Sequence, residues 1–460
     1  MNPKIASSLN RAAVFGILIA IAFLIAIISV VRPLFAISIA LCTIAGALAI
    51  LNPFWVLVAY VLIFPFAPYL AYPAFPTITL PKLVFALAFG GFAIAAILRS
   101  QRISIAAEIK VTALLVALAF VSLIWSENRS AGAITAFSLF GMVALMALAS
   151  AFSQSKPKLE ALVRLLLYQS LVFSVFGIIQ FITKKTLWNI GYYPDINYFI
   201  TYRGLVRASS VFLHPNDFSS YLIITIPLAI VWGFERRGRE RMVGFLSAVT
   251  GLFALALTFT RSAWVALAVA AFLTLFRRYW KMLVGLGLVI LLISGIAFVH
   301  YQRDAALFLS RLEASPDRSV SDRTWAYEAA WGMIKSSPII GVGIGQFVIK
   351  YPDFKPYEAS WTARGERVPM TVHNMMLEIA SELGALGLIL FFSFLYLVTK
   401  KVRRLARSGD LLARTIGISM ACGLLAFFIQ AQLNNQLYME IAWIALGLAL
   451  GAGTVTDDRR

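Results

Sequence analysis

Cysteine is nearly missing from this sequence: 460 residues hold two, Cys42 and Cys422, each inside an apolar run and neither with a C-x-x-C partner. Neither a disulfide framework nor a sulfur metal site is indicated. Charge is also scarce, at 13% of residues against about 25% in soluble domains. Acidic residues are the scarcer half, 21 Asp plus Glu against 40 Lys plus Arg. There is no H-E-x-x-H, no D-x-D and no G-x-x-x-x-G-K-[ST]; Glu127 and Asp195 stand alone, where a divalent ion would need an acidic pair. No metal site and no cofactor site is read, and neither nucleotide hydrolysis nor a nucleotide-sugar donor is suggested. Whatever drives a reaction has to arrive with the substrate. The sequence also holds no internal repeat, low-complexity block or soluble domain.

Apolar side chains are what it has in abundance, 60% of residues with a mean hydropathy of +0.84. That is too apolar for a soluble fold and predicts an all-α polytopic membrane protein. Runs long enough to cross a hydrocarbon core lie near 12–31, 33–50, 54–70, 82–98, 111–125, 132–152, 161–182, 217–233, 243–258, 263–276, 282–299, 376–398, 412–431 and 438–453. This gives 14 spans, or 12 if the turns at Arg32-Pro33 and Asn52-Pro53 belong to broken or re-entrant helices. Lys4 and Arg11 before the first run resemble the start of a signal peptide, but without a small-residue cleavage site the run is read as a span. The expected organisation is an N-terminal bundle (1–182), a central region (183–299) with a first outer loop (183–216), a large outer loop (300–372), and C-terminal helices with a tail (373–460).

The formal charge of +19 is concentrated in loops on the side of the N-terminus, notably 234–242, 277–281 and 399–410. The positive-inside rule then places both termini in the cytoplasm and the two long loops outside. The basic loops read as topology anchors in contact with the lipid bilayer, and not as a nucleic-acid surface.

The first outer loop is rich in aromatics, suited to an interfacial belt or to a surface on which a sugar ring stacks. The second is too long for a plain connector. Within it Ser321-Asp322 can cap a helix on which Trp325, Ala326, Ala329 and Met333 share a face, and Ser336-Ser337-Pro338 stops that helix. The glycines of GVGIGQF, 341–347, follow and allow tight turns.

Several polar residues gather at the outer ends of spans. Arg207 precedes one span, Arg261 is wedged in the short turn LTFTRSAW between two others, Arg323 starts the loop helix and His373 opens the next span. Arginine offers a fixed fork of donors and is the preferred partner of phosphate; a neutral imidazole serves as a general base. Together they suit a lipid-linked phosphate or diphosphate. Arg203, Arg364 and Asn374 are weaker candidate contacts. So is His214, because Asn216 or Asp217 is expected to cap the helix that Pro215 starts. Glu378 and Glu382 stand about 140° and 180° round a continuous helix from His373, so neither orients the imidazole directly; Glu382 is expected to bond a neighbouring helix.

TRSAW at 260–264, SDRTWAYEAAWGMIKSSPIIGVGIGQF at 321–347 and HNMMLEIASELGALG at 373–387 resemble, in order and spacing, the O-antigen ligase and polymerase superfamily across residues 200–395. The resemblance implies a GT-C-like architecture and a metal-independent inverting glycosyltransferase at the periplasmic face of the bacterial inner membrane. Its donor would be a glycan on undecaprenyl diphosphate and its acceptor a sugar hydroxyl of lipid A core. The family's histidine falls on His373 and its arginines on Arg207, Arg261 and Arg323. A glycan polymerase or a protein oligosaccharyltransferase of the same superfamily remains open, as does, from another class, a lipid-linked oligosaccharide transporter.

Overall fold

A computed structural model describes residues 45–67, 69–72, 75–98, 105–184, 201–202, 205–276, 278–281, 284, 317–354, 371–434 and 436–455. The chain divides into two compact units, residues 1–104 and 105–460. It is an all-α polytopic membrane protein whose only described strands are two short hairpins.

In the first unit, α1 (Ala45–Leu51) and α2 (Pro53–Ile63) meet at 116°, so the Asn52-Pro53 turn is a break, as anticipated. Proline at the first position of α2 lacks the N–H that would continue α1. A hairpin of β1 (Ala71–Tyr72) and β2 (Phe75–Thr79) leads into α3 (Leu80–Leu98), which packs on α2.

The second unit is a bundle of α4 (Ala107–Val121), α5 (Arg129–Ser153), α6 (Lys156–Thr183), α7 (Pro215–Glu235), α8 (Gly238–Leu257), α9 (Arg261–Thr274), α10 (Asp317–Ser336), α11 (Phe347–Phe354), α12 (Met375–Ala406), α13 (Leu411–Ala431) and α14 (Glu440–Val455). A second hairpin, β3 (Thr201–Tyr202) with β4 (Leu205–Val206), precedes α7. Among the described residues eight helices are long and apolar enough to cross a membrane, or nine counting the bent α1–α2 pair; α9 and α14 are shorter apolar helices. The runs expected at 12–31 and 282–299, and most of 33–50, lie largely or wholly outside the described residues, so the expected 12 to 14 is not reached within them.

α7 is the axis of this bundle. It is buried along most of its length and packs on α6, α8, α9, α13 and α14. Its buried hydroxyls find partners on neighbours: Thr225 with Ser170 at 3.0 Å, Tyr221 with Gln169 at 3.1 Å, and Ser219 accepting from Gln430 at 2.8 Å. At one end of the bundle, ion pairs join Glu235 to Arg278 and Arg414, Arg236 to Glu160, and Lys156 to Asp410. The functional candidates lie at the opposite end. Ile124, Phe137, Phe272 and Ile389 point outward from the helices, as a lipid-facing surface requires.

The loop helix α10 ends at Ser336, where the Ser-Ser-Pro stop was expected, but begins at Asp317. Ser321 and Asp322 therefore lie inside it and do not cap it. Ala326, Ala329, Ala330 and Met333 form its buried face and pack with Val342, Phe347, Tyr351 and Val372 into a small core of their own.

α12 is not continuous. Gly384, at φ 64° and ψ −161°, breaks it into an outer piece (375–383) and a long piece (385–406). The long piece, about 33 Å at 1.5 Å per residue, matches a hydrocarbon core of about 30 Å. The chain at 338–343 is spliced into the break. In an unbroken helix Ala385 and Leu386 would donate to the carbonyls of Ser381 and Glu382. Here they donate to Pro338 and Ile339, while Ser381 and Glu382 accept from Val342 and Gly343, with all four distances between 2.9 and 3.2 Å. Gly341 and Gly343 take positive φ (70° and 105°) to make this pairing, conformations that cost a side chain.

Candidate functional site

The site is built on a turn. Phe259 has φ 51° and reverses the chain between α8 and α9. The Arg207 Nε donates to the Thr258 carbonyl at 2.9 Å, and its Nη2 to Asn216 Oδ1 and Thr260 Oγ1, each at 3.2 Å. The guanidinium is buried, so these bonds offset the desolvation of its charge. The network runs on: Asn216 Nδ2 donates to Asn434 Oδ1 at 3.1 Å, and Asn434 Nδ2 to Ser262 Oγ at 3.2 Å. Arg261 stands between the tethered Thr260 and Ser262 as the first residue of α9, with its side chain exposed. A cation there adds to the positive end of the helix and costs about 0.3–1 kcal/mol of helix stability. The same sum of charges makes an anion site.

His214 caps α7. Its Nδ1 accepts the Asn216 N–H at 3.0 Å and Pro215 takes the first helical position, so the cap is His214 and not Asn216 or Asp217 as expected. Accepting through Nδ1 requires that nitrogen to be unprotonated, so the ring is neutral with its proton on Nε2. Burial, Arg207 and His373, in that order, push its pKa down from 6.5 to about 4.

His373 precedes α12 with φ 52°, a left-handed conformation uncommon outside glycine and found more often in Asn, Asp and His than in other residues. Its Nε2 lies 3.4 Å from the Thr371 hydroxyl. Asn374 caps the helix by accepting the Leu377 N–H at 3.0 Å, which accounts for that oxygen. Burial, and then the Arg323 guanidinium, lower the His373 pKa. The Arg323 guanidinium, half-buried on α10, thus acts electrostatically on His373, and His373 on His214 at the α7 cap.

Arg207, His214, Arg323 and His373 thus share one electrostatic environment, and Arg261 is tied to it through Thr260 and Ser262. The N-termini of α7 and α9 meet there, joined by the Thr260 hydroxyl bond to Asn216 Oδ1. Guanidiniums and positive helix ends can bind an oxyanion, and a neutral imidazole can accept a proton. Arg203 and Arg364 lie outside the described residues. Among the described residues no group of three or more His, Cys, Asp or Glu is arranged to hold a metal. Sequence reasoning passed over Thr260, Ser262 and Asn434, the polar residues that hold the turn. Thr260 and Ser262 flank Arg261 and were visible as its neighbours; Asn434 gave no signal.

Residues 246–392, from α8 to the first turns of the long piece of α12, match the family model described as O-antigen ligase. The segment holds Arg261, Arg323 and His373. An O-antigen ligase of Salmonella typhimurium (strain LT2) is similar as well, 28% identical over 233 residues, which is 48% of this chain and 52% of that protein. Over these residues the chain is similar to O-antigen ligases. It spans about half the length of the curated relative it matches. Arg207 and His214 fall before the family-model segment, and Arg207 is tied to it by its bonds to Thr258 and Thr260.

Proposed function

We propose that the protein is an O-antigen ligase: a metal-independent inverting glycosyltransferase that moves a glycan from undecaprenyl diphosphate to a sugar hydroxyl of lipid A core. The observation that carries this reading is His373 under the electrostatic influence of Arg323, both within a segment similar to O-antigen ligases. His373 takes the proton of the acceptor hydroxyl as that oxygen attacks the anomeric carbon. The bond from that carbon to the diphosphate oxygen breaks on the opposite side, which inverts the centre and leaves undecaprenyl diphosphate. Arg261 and Arg323 meet the negative charge that develops on the leaving group, and fixed donors do so without reorganising. Arg207, with three hydrogen bonds to protein already, holds the turn that presents Arg261 and adds its charge to the field.

In this reading the site faces the periplasm, both termini are cytoplasmic, and the membrane is the bacterial inner membrane. The excess of Lys and Arg in the loops of the opposite face supports that orientation.

The test is transfer by purified protein in proteoliposomes from the diphosphate lipid to lipid A core, with diphosphate-linked glycan and a peptide as rival acceptors. Wild-type transfer is expected to favour lipid A core and to survive EDTA, and His373→Ala to be slower by at least a hundredfold. A His373→Ala protein working at the wild-type rate would overturn the assignment, and strict dependence on Mg²⁺ or Mn²⁺ would overturn the metal-free reaction.

A further inference from the structure

Glu382 sits at the break in α12, 4% exposed. Its carboxylate accepts the backbone N–H groups of Gly345 at 2.8 Å and Phe347 at 3.0 Å. Those amides open α11, so a side chain 35 residues away in sequence caps that helix. The same stretch is gripped from the other side. Ile344 donates to Ser122 Oγ at 3.0 Å, and Gln346 exchanges two hydrogen bonds with the backbone of Asn128 at 2.8 and 3.0 Å. Residues 341–347 are thus clamped between the α4–α5 corner and the break in α12, with Glu382 the clamp on the α12 side.

The clamp bears on the site because of what it joins. α10 carries Arg323 and ends where the spliced loop begins. The outer piece of α12 follows directly on His373 and is only nine residues long. Helices that short are marginal alone, so the direction of this one is set at its ends, by the Asn374 cap and by the splice.

We propose that Glu382 is a positioning residue: its hold on the 345–347 backbone fixes the outer piece of α12 against α10 and so sets where His373 stands relative to Arg323. A glutamine here keeps one acceptor and turns an N–H group toward a backbone N–H. An aspartate keeps both acceptors on a stem one methylene shorter. The kinetic half of the proposal rests on the transfer reaction above; the geometric half does not.

The experiment uses the full-length protein in proteoliposomes. Glu382→Gln is expected to lower kcat at least tenfold with KM within about twofold, and Glu382→Asp to recover part of kcat. In parallel, spin labels on Glu328→Cys and Met376→Cys, in a Cys42→Ser and Cys422→Ala background, report the distance between α10 and the outer piece of α12. A narrow distribution is expected with Glu382 and a broadened or displaced one with glutamine. A glutamine variant with parental kcat overturns the proposal, whatever the labels do. A fall in kcat with the parental label distribution overturns it too, since the effect is then not positional. If the parent transfers no glycan, the proposed function has failed, and the label distances alone decide whether Glu382 fixes the two helices.

Discussion

The Arg207 Nε closes on the Thr258 carbonyl at 2.9 Å, across 51 residues of sequence. With its two bonds to Asn216 and Thr260 it makes the guanidinium a brace for the turn on which Arg261 stands. Removing this buried, charge-assisted donor takes away three hydrogen bonds and leaves the Thr258 carbonyl only a 3.5 Å contact from the Thr260 hydroxyl, a loss of about 1–3 kcal/mol. Arg207→Ala is therefore expected to lower both the thermal midpoint and the transfer rate. Lysine cannot reproduce the forked contact and is expected to restore little. Unfolding followed by thiol-reactive dye on Cys422, which is buried in the native protein, reads the stability half; an unchanged midpoint for Arg207→Ala would remove the brace.

Arg261 makes the contrasting case. Its side chain is exposed at a helix N-terminus, where the charge works against the helix dipole. Arg261→Ala is expected to leave stability unchanged or slightly raised and to cut transfer at least tenfold, with Arg261→Lys recovering part. Equal rates for the wild type and the alanine variant would separate Arg261 from the site.

His214 joins stability to pH. Its pKa is about 4 in the fold against about 6.5 in the unfolded chain, so between those values the unfolded state binds more protons. Stability is expected to fall as pH drops from about 6.5 toward 4 and to level off below. His214→Asn keeps a capping side chain and is expected to flatten that slope with little loss at pH 7, while His214→Ala loses the cap at about 1 kcal/mol. Thermal midpoints of the three proteins between pH 4 and 8 check this; the same acid slope in the asparagine variant would mean that another group carries it.

The legible part of this protein is what repeats locally. Apolar runs marked the helices, Asn52-Pro53 marked a break, and Ser336 to Pro338 marked the end of α10. What escaped are contacts whose partners are far apart in sequence. Nothing in the period of a helix says that Asn216 will meet Asn434, or that Glu382 will cap α11. Gly384 lies inside an apolar helical run, and its positive φ shows that the helix stops there. The cap of α7 was misplaced by two or three residues because asparagine and aspartate outrank histidine as caps; here the ring of His214 reached the amide first.

The last expectation concerns the pH dependence of transfer. Among the described residues Arg323 on α10 acts on His373, and His373 with Arg207 acts on His214 at the cap of α7. Burial and then Arg323 hold the imidazole pKa below its ordinary 6.5. A base must be neutral to accept a proton, so the rate is expected to rise with pH through that lowered value and to be flat by pH 7. Arg323→Met removes a positive charge that disfavours the imidazolium, and the acid limb is expected to move up toward 6.5. Arg323→Lys keeps the charge and is expected to leave the limb in place. Both variants are expected to transfer more slowly, because both lose the forked contact with the diphosphate. The two effects are separable in one experiment: kcat/KM measured from pH 4.5 to 8 gives the height of the plateau and the position of the limb independently. A limb that stays fixed in Arg323→Met would show that Arg323 does not act on the base, whatever it does to the plateau.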